Sequence, residues 1–318
     1  MKIIIPGGSG HVGTLLARAF HAEGHQVVVL SRSPQSAPWR VLLWDGETAA
    51  GDWPAEVDGA DAVIVLAGRS VNCRYTPANR RAIIDSRVLS TRAVGEAVAR
   101  AARPPRVWLQ ASTATIYAHR FDAPNDDVSG VLGGAEPGLP ETWRFSLDVA
   151  RQREAEFDRA IVPSTRKTLL RTAIVMSEGK GGAFDTLLGL VKRGLGGAEV
   201  DGRQLVSWMH GRDLVRAVRF LLDAEALAGP VILAAPNPLP NAAFLAALRD
   251  AAGVRAGLPA AAWMLEIGAR ALGTETELIL KSRYVVPRRL LEAGFAFDFP
   301  TWPEAARDLC RAAGVIKE

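Results

Sequence analysis

The segment KIIIPGGSGHVG at residues 2–13 constrains the fold more than any other part of the chain. A short apolar run, KIIIP, suits a buried parallel strand. It ends in a glycine-rich turn in which Gly7, Gly10 and Gly13 are spaced GxxGxxG, and apolar Val12, Leu15, Leu16, Ala19 and Phe20 then mark an amphipathic helix over about residues 10–23. A strand turning directly into a helix leaves the first helical N–H groups unpaired, with the positive end of the helix dipole beside the turn. Such a place suits a phosphate. Gly7 permits the tight turn, Gly10 lets backbone approach a pyrophosphate, and Gly13 lets helix and strand pack closely. A glycine triplet by itself is weak evidence; between a strand and a helix it predicts a dinucleotide cradle.

The remainder of the first half repeats this alternation. Strands are predicted at QVVVL (26–30), WRVLLW (39–44), DAVIVLAG (61–68), RVWLQAS (106–112) and KTLLRTAIVM (167–176), with helices over 77–100 and 142–160. Alternating strands and helices predict an α/β fold, a Rossmann-type doubly wound parallel sheet. After residue 176 helical patterns dominate, at 183–193, 212–223, 241–252 and 260–271, and APNPLP (235–240) reads as a connecting loop. The expected division is a cofactor-binding domain over 1–176, its sheet open to completion by later segments, and a smaller, mainly helical C-terminal lobe over 177–318.

Composition narrows the partners. With 318 residues and 48% hydrophobic content, the chain can bury a large core. A net charge of +4 with no run of five like charges gives no reason to expect nucleic acid. Cys73 and Cys310 lie far apart and outside any CxxC pair, and the five histidines show no metal-ligand spacing. Without a signal-peptide pattern or a membrane-length apolar run, a cytoplasmic protein acting on a small-molecule substrate is expected. A homodimer is left open.

At the end of the second strand, an NAD-selective site carries Asp or Glu for the ribose hydroxyls. This chain has Ser31 and Arg32 there. A hydroxyl and a guanidinium suit a 2′-phosphate, so NADP is the expected cofactor. In VLAG (65–68), Leu66, Ala67 and Gly68 bring small residues and backbone toward the ribose and pyrophosphate.

GGSGHVG, DAVIVLAG, STATIY, the helix around Glu154 and VSWMHGRDL resemble the extended short-chain dehydrogenase/reductase superfamily. GRSVNCRYT…SRVLSTR (68–92), GLGGAEVDGRQLVSWMH (194–210), APNPLPN (235–241) and VVPRRLLEAGFAFDFP (285–300) resemble an atypical branch, the nucleoside-diphosphate-sugar-epimerase-like family with its own C-terminal segment. That resemblance implies bound NADP(H) with contacts from Ser9, Gly10, His11 and Val12, from Ser31, Arg32, Leu66 and Ala67, and from Arg87 facing the pyrophosphate. The nicotinamide would sit by Ile174 and Val175.

The family's usual proton relay is missing. It pairs a Tyr with a Lys four residues later, because an adjacent ammonium favours the phenolate of a group whose ordinary pKa is about 10. Four residues after Tyr75, Tyr117 and Tyr284 stand Asn79, Phe121 and Arg288, and alignment on Glu154 places Ser146 and Ala150 at the dyad positions. Thr113 matches the family's Ser/Thr position and is the candidate for orienting a substrate oxygen. Tyr117, four residues on, is the candidate neutral proton donor, with a pocket-wall role as its alternative. Ser112 would support either; His210 is read as mainly structural. Val206 stands where many nucleotide-sugar enzymes carry an Arg, with Trp208 nearby. Arg193, Arg203, Lys281, Arg283, Arg288 and Arg289 are read as a solvated basic face in preference to an anion site.

Three functions stay open at this point. An NADP(H)-dependent oxidoreductase- or epimerase-like enzyme acting on a small carbonyl or alcohol is preferred. A non-catalytic NADP(H) sensor, fitting relatives linked to cell or organelle division, is the second. A nucleotide-sugar epimerase is the third, set back by both departures.

Overall fold

A computed structural model describes residues 1–33, 35–261, 264, 275 and 277–316. Seven strands form its main sheet: β1 (Lys2–Pro6), β2 (Gln26–Ser31), β3 (Arg40–Leu43), β4 (Ala62–Val65), β5 (Val107–Thr113), β6 (Arg166–Thr172) and β10 (Gly229–Leu233). Their order is β3-β2-β1-β4-β5-β6-β10, with every neighbouring pair parallel. Chain order reverses at β1, which has β2 on one side and β4 on the other, so a crevice opens where the loops leaving β1 and β4 diverge.

Because helices cover both faces, the strands are apolar on both sides. Ile3, Ile5, Val27, Val29 and Ile64 pack under α1 (His11–Ala22) and α6 (Gly211–Asp223). Ile4, Val28, Val63 and Trp108 face Ala93, Val94 and Val98 of α3 (Pro77–Arg100) and Phe157 of α4 (Glu141–Arg159). The start of α3 follows from local chemistry: Thr76 accepts from the Asn79 N–H as N-cap, and Pro77 occupies the first turn.

The apolar run 167–176 is not one strand. β6 pairs with β5 and β10 as far as Thr172, and the Ala173 N–H donates to Leu233 O (2.9 Å). Ile174–Met176, β7, then pairs with β9 (Trp208–His210). The split marks a passage between two cores: Leu170 lies in the core under the sheet, whereas Met176 joins Phe184, Trp208, Phe244 and Trp302 in a second one. That second core gathers α5 (Ala183–Lys192), α7 (Asn241–Ala252) and the helix Trp302–Ala312. Within it Phe244 and Trp302 stack at 4.1 Å. The loop expected at 235–240 contains a two-residue strand, β11 (Leu239–Pro240), paired with β8 (Leu205–Val206).

Residues 177–318 do not all stand apart from the sheet, since β10 completes its edge and α6 packs on one face. The helix expected over 260–271 lies mostly outside the described residues. A four-residue helix, α2 (Pro54–Val57), escaped the sequence reading. No helix among the described residues is long and apolar enough to cross a membrane.

Candidate functional site

Two neighbouring cavities lie where β1, β4 and β5 end. The first, of about 200 Å³, is lined by Gly7, Ser9 and Gly10 of the glycine turn, by Ser31 and Arg32 after β2, and by Leu66, Ala67 and Gly68 after β4. Gly7 has φ +77°, and a Cβ there would lie 2.5 Å from Ala67 Cα; a Cβ on Gly13 would lie 2.4 Å from Gly8 Cα. Both glycines are therefore demanded by packing. Gly10 differs, since its Cβ would meet only Gly7 O at 3.8 Å. It caps α1 with no side-chain hydrogen bond and no acidic residue in the first turn, leaving the N–H groups for an anion.

At the adenosine end, buried Ser31 donates to Ser9 Oγ (3.2 Å) and accepts from the Ser33 N–H (3.3 Å). Arg32 is exposed, its side chain lying against Gly46. It has no ion pair among the described residues. His11 and Val12 turn elsewhere: His11 Nε2 is 2.6 Å from Ser177 Oγ, and Val12 packs on the sheet core. Val175 pairs with Met209 and packs on the same core.

The second cavity, of about 170 Å³, lies beyond Gly68. Ser112 and Thr113 from the end of β5, Ser146 and Ala150 from α4, and Arg87, Arg153, Tyr75 and Glu277 contribute to its wall. Ser146 and Ala150 thus line this cavity together, and α4 carries no lysine. Arg87 and Arg153 separate the two cavities. Arg153 donates to Ala67 O (2.5 Å), while its buried Nε has no hydrogen-bond partner among the described residues. Burial, reinforced by Arg87, pulls the Arg153 guanidinium down to about 9; burial pulls Arg87 to about 10.

Thr113 lies in the wall, its Oγ1 accepting from the Thr115 N–H (3.1 Å). Tyr117 is placed differently from its expected role as proton donor. It is 2% exposed in a core cluster, and its hydroxyl accepts from Arg171 Nη1 (3.0 Å). Arg171 in turn makes two bonds to Glu154, which also accepts from Ser112. The cation that the sequence hid from Tyr117 is therefore present, but the chain of partners runs beneath the cavity. Burial raises the Tyr117 pKa and outweighs Arg171, which acts downward.

Glu277 escaped the sequence reading, which weighed Tyr75 only for the missing dyad and Lys281 and Arg283 only as a basic face or an anion site. Tyr75 and Glu277 line the second cavity, and Lys281 and Arg283 bond to Thr115 in its wall. Glu277 is 2% exposed and accepts from the Ser146 hydroxyl, with Arg283 Nη2 3.8 Å from its Oε1. Burial pushes its carboxyl up, against the pull of Arg283. Lys281 donates to Thr115 O (2.7 Å) and Arg283 Nε to Thr115 Oγ1 (3.1 Å). Both are buried, so they do not belong to a solvated face. The available signal was ELILKSR (277–283), which sets one carboxylate and two cations in an otherwise apolar stretch. His210 is structural, capping α6 and stacking on Phe299 at 3.9 Å. Trp208 is fully buried in the second core and does not wall a substrate site.

The parallel sheet, glycine cradle and crevice define a Rossmann-type NAD(P)-binding protein. The profile of the NAD-dependent epimerase/dehydratase family matches residues 3–132, and that of a domain of unknown function, DUF1731, matches 260–309. The epimerase family protein SDR39U1 of Bos taurus is 30% identical over 314 residues, spanning 97% of this chain and 99% of that protein. This chain belongs to that epimerase/dehydratase family, in the form that carries the DUF1731 segment. The crystal structure of human SDR39U1 (isoform 2) with NADPH is similar at TM-score 0.84 and 27% identity, covering 98% of this chain and 99% of that one. A nucleoside-diphosphate sugar epimerase from Corynebacterium glutamicum aligns at TM-score 0.73 and 27% identity, over 97% of this chain and 58% of that one.

Proposed function

We propose that the chain is an NADP(H)-dependent oxidoreductase of epimerase-like fold acting on a small carbonyl or alcohol. The observation carrying this reading is the pairing of an anion-ready cradle with a neighbouring cavity whose mainly apolar wall carries Ser112, Thr113, Ser146 and Glu277. The N–H groups at the start of α1 would hold the pyrophosphate, and Arg32 with Ser31 the 2′-phosphate. Arg87 and Arg153 would meet the negative charge between the cavities. When bound, the cofactor supplies or accepts a hydride. Thr113 would orient the substrate oxygen from the end of β5. The human relative's NADPH supports the choice of cofactor.

Calorimetry should find NADPH bound more tightly than NADH, and absorbance of the reduced cofactor should fall with a member of a panel of small aldehydes and ketones. Equal affinity for the two cofactors would remove the NADP assignment. Tight NADPH binding with no turnover would favour the second reading, a binding module that reports NADPH level, for which the observation is Ala150 standing in the cavity wall at the dyad's lysine position.

A further inference from the structure

We propose that Glu277 is the acid–base group of the second cavity and exchanges its proton with substrate through the Ser146 hydroxyl. This rests on the oxidoreductase reading and supplies what the absent Tyr/Lys pair leaves out. Glu277 comes from the short helix Glu277–Leu280, in the segment that the DUF1731 profile covers, and reaches a serine 131 residues earlier in the chain.

Three observations carry it. Glu277 is 2% exposed yet contributes to the cavity wall. One carboxyl oxygen, Oε2, accepts from the hydroxyl of Ser146, which the sequence alignment on Glu154 sets at the family's tyrosine position. The other, Oε1, is buried and has no hydrogen-bond partner among the described residues. Arg283 Nη2 is 3.8 Å from Oε1, near enough for an ion pair but not for a hydrogen bond, whereas a carboxylate that served only to tie this segment to α4 would have both oxygens hydrogen-bonded, because a buried acceptor without a hydrogen bond costs about 1–3 kcal/mol.

The groups facing Glu277 come from each neighbouring element. Ser146 lies on α4, Tyr75 precedes α3 and hydrogen-bonds with Ser146, and Glu275, Lys281 and Arg283 flank it in its own segment. Arg87 and Arg153 stand in the same cavity wall. Burial raises its carboxyl pKa in spite of Arg283 and Lys281. Arg283 Nη2 stands 3.8 Å from Oε1, in place to meet the carboxylate left after proton loss.

In the reducing direction the Ser146 hydroxyl turns from Glu277 Oε2 to the substrate oxygen and gives up its proton there, while the proton carried on Glu277 Oε2 moves onto Ser146 Oγ. The carbonyl carbon takes the hydride from a reduced nicotinamide. One C–H and one O–H bond form as the C=O π bond opens, the substrate gains two electrons and the dinucleotide loses two. Oxidation runs the same path backwards.

The test uses the full chain with the variants Glu277→Gln, Glu277→Asp and Ser146→Ala. NADPH calorimetry is run on each to establish an intact cofactor site. Infrared difference spectra of the parent against E277Q should show a protonated-carboxyl stretch at neutral pH, shifted in S146A. A Glu277 already ionised at neutral pH overturns the proposal whatever the turnover. With the carbonyl panel and NADPH, kcat should fall about 100-fold or more in E277Q, within the range of general acid–base catalysis, with NADPH affinity unchanged and partial recovery in E277D. Parental kcat and an unchanged pH profile in E277Q would sink the role of Glu277 alone. A parent that binds NADPH but reduces no carbonyl would take down the oxidoreductase reading, and the proposal with it.

Discussion

Gly10→Ala adds a single methyl group at the N-cap of α1, and the structure separates its two consequences. Gly10 sits at φ −75° and ψ 173°, a conformation open to alanine. The new Cβ would meet only Gly7 O at 3.8 Å, so no protein atom is displaced. The fold without ligand should lose only about 0.5 kcal/mol, from alanine being a poorer N-cap than glycine. The methyl projects instead toward the space where a pyrophosphate would lie against the helix N–H groups. Displacing an anion from two such groups forfeits about 1.5–3 kcal/mol for each charge-assisted bond. NADPH affinity should therefore drop about 100-fold or more. Calorimetry reads that loss directly. Melting curves give an independent measure: NADPH at ~100 Kd stabilises the parent by about 2.7 kcal/mol, and G10A at the same concentration should show little of this. Gly7→Ala is the contrasting control, because φ +77° and a 2.5 Å approach to Ala67 should destabilise the fold itself. Parental NADPH affinity in G10A would refute the assignment of the glycine turn as the pyrophosphate seat.

Arg32→Ala should narrow the preference for NADPH over NADH by about 1–3 kcal/mol, read as the ratio of the two dissociation constants. Tyr117→Phe leaves buried Arg171 Nη1 without its acceptor, so thermal or denaturant unfolding should show a loss of about 1–3 kcal/mol with NADPH binding unchanged. Burial, reinforced by Arg283, holds the Lys281 ammonium at about 8 against its ordinary 10.5. Between those values the unfolded chain binds more protons than the folded one, so Lys281 makes the stability of the ligand-free fold rise with pH. Urea unfolding across that window should give a flatter profile in Lys281→Met, by on the order of 1–3 kcal/mol.

What the sequence disclosed follows the range of the physics involved. KIIIP and the helices at 77–100 and 241–252 match their observed bounds, because a turn, a capping threonine or a flanking proline sets each of them locally. The glycine cradle is local in the same sense. The run 167–176 misled because both halves are apolar, while its break depends on which partner strand each half meets. Tyr117 looked available because its distance from Thr113 is visible in the chain and its Arg171 partner, 54 residues away, is not. Glu277 and Arg153 were illegible for the same reason: a charged side chain reads as surface until the fold closes over it.

The late arrival of β10 bears on how such a chain is made. Until residue 233 has left the ribosome, β6 is the bare margin of an unfinished sheet, with unpaired amides and apolar side chains on offer to any neighbour. More than fifty residues of α5, β9 and α6 must be synthesised before that margin is sealed. A fragment stopping at residue 176 would keep the whole glycine cradle yet expose the strand beside its reaction cavity, and aggregation is its natural fate.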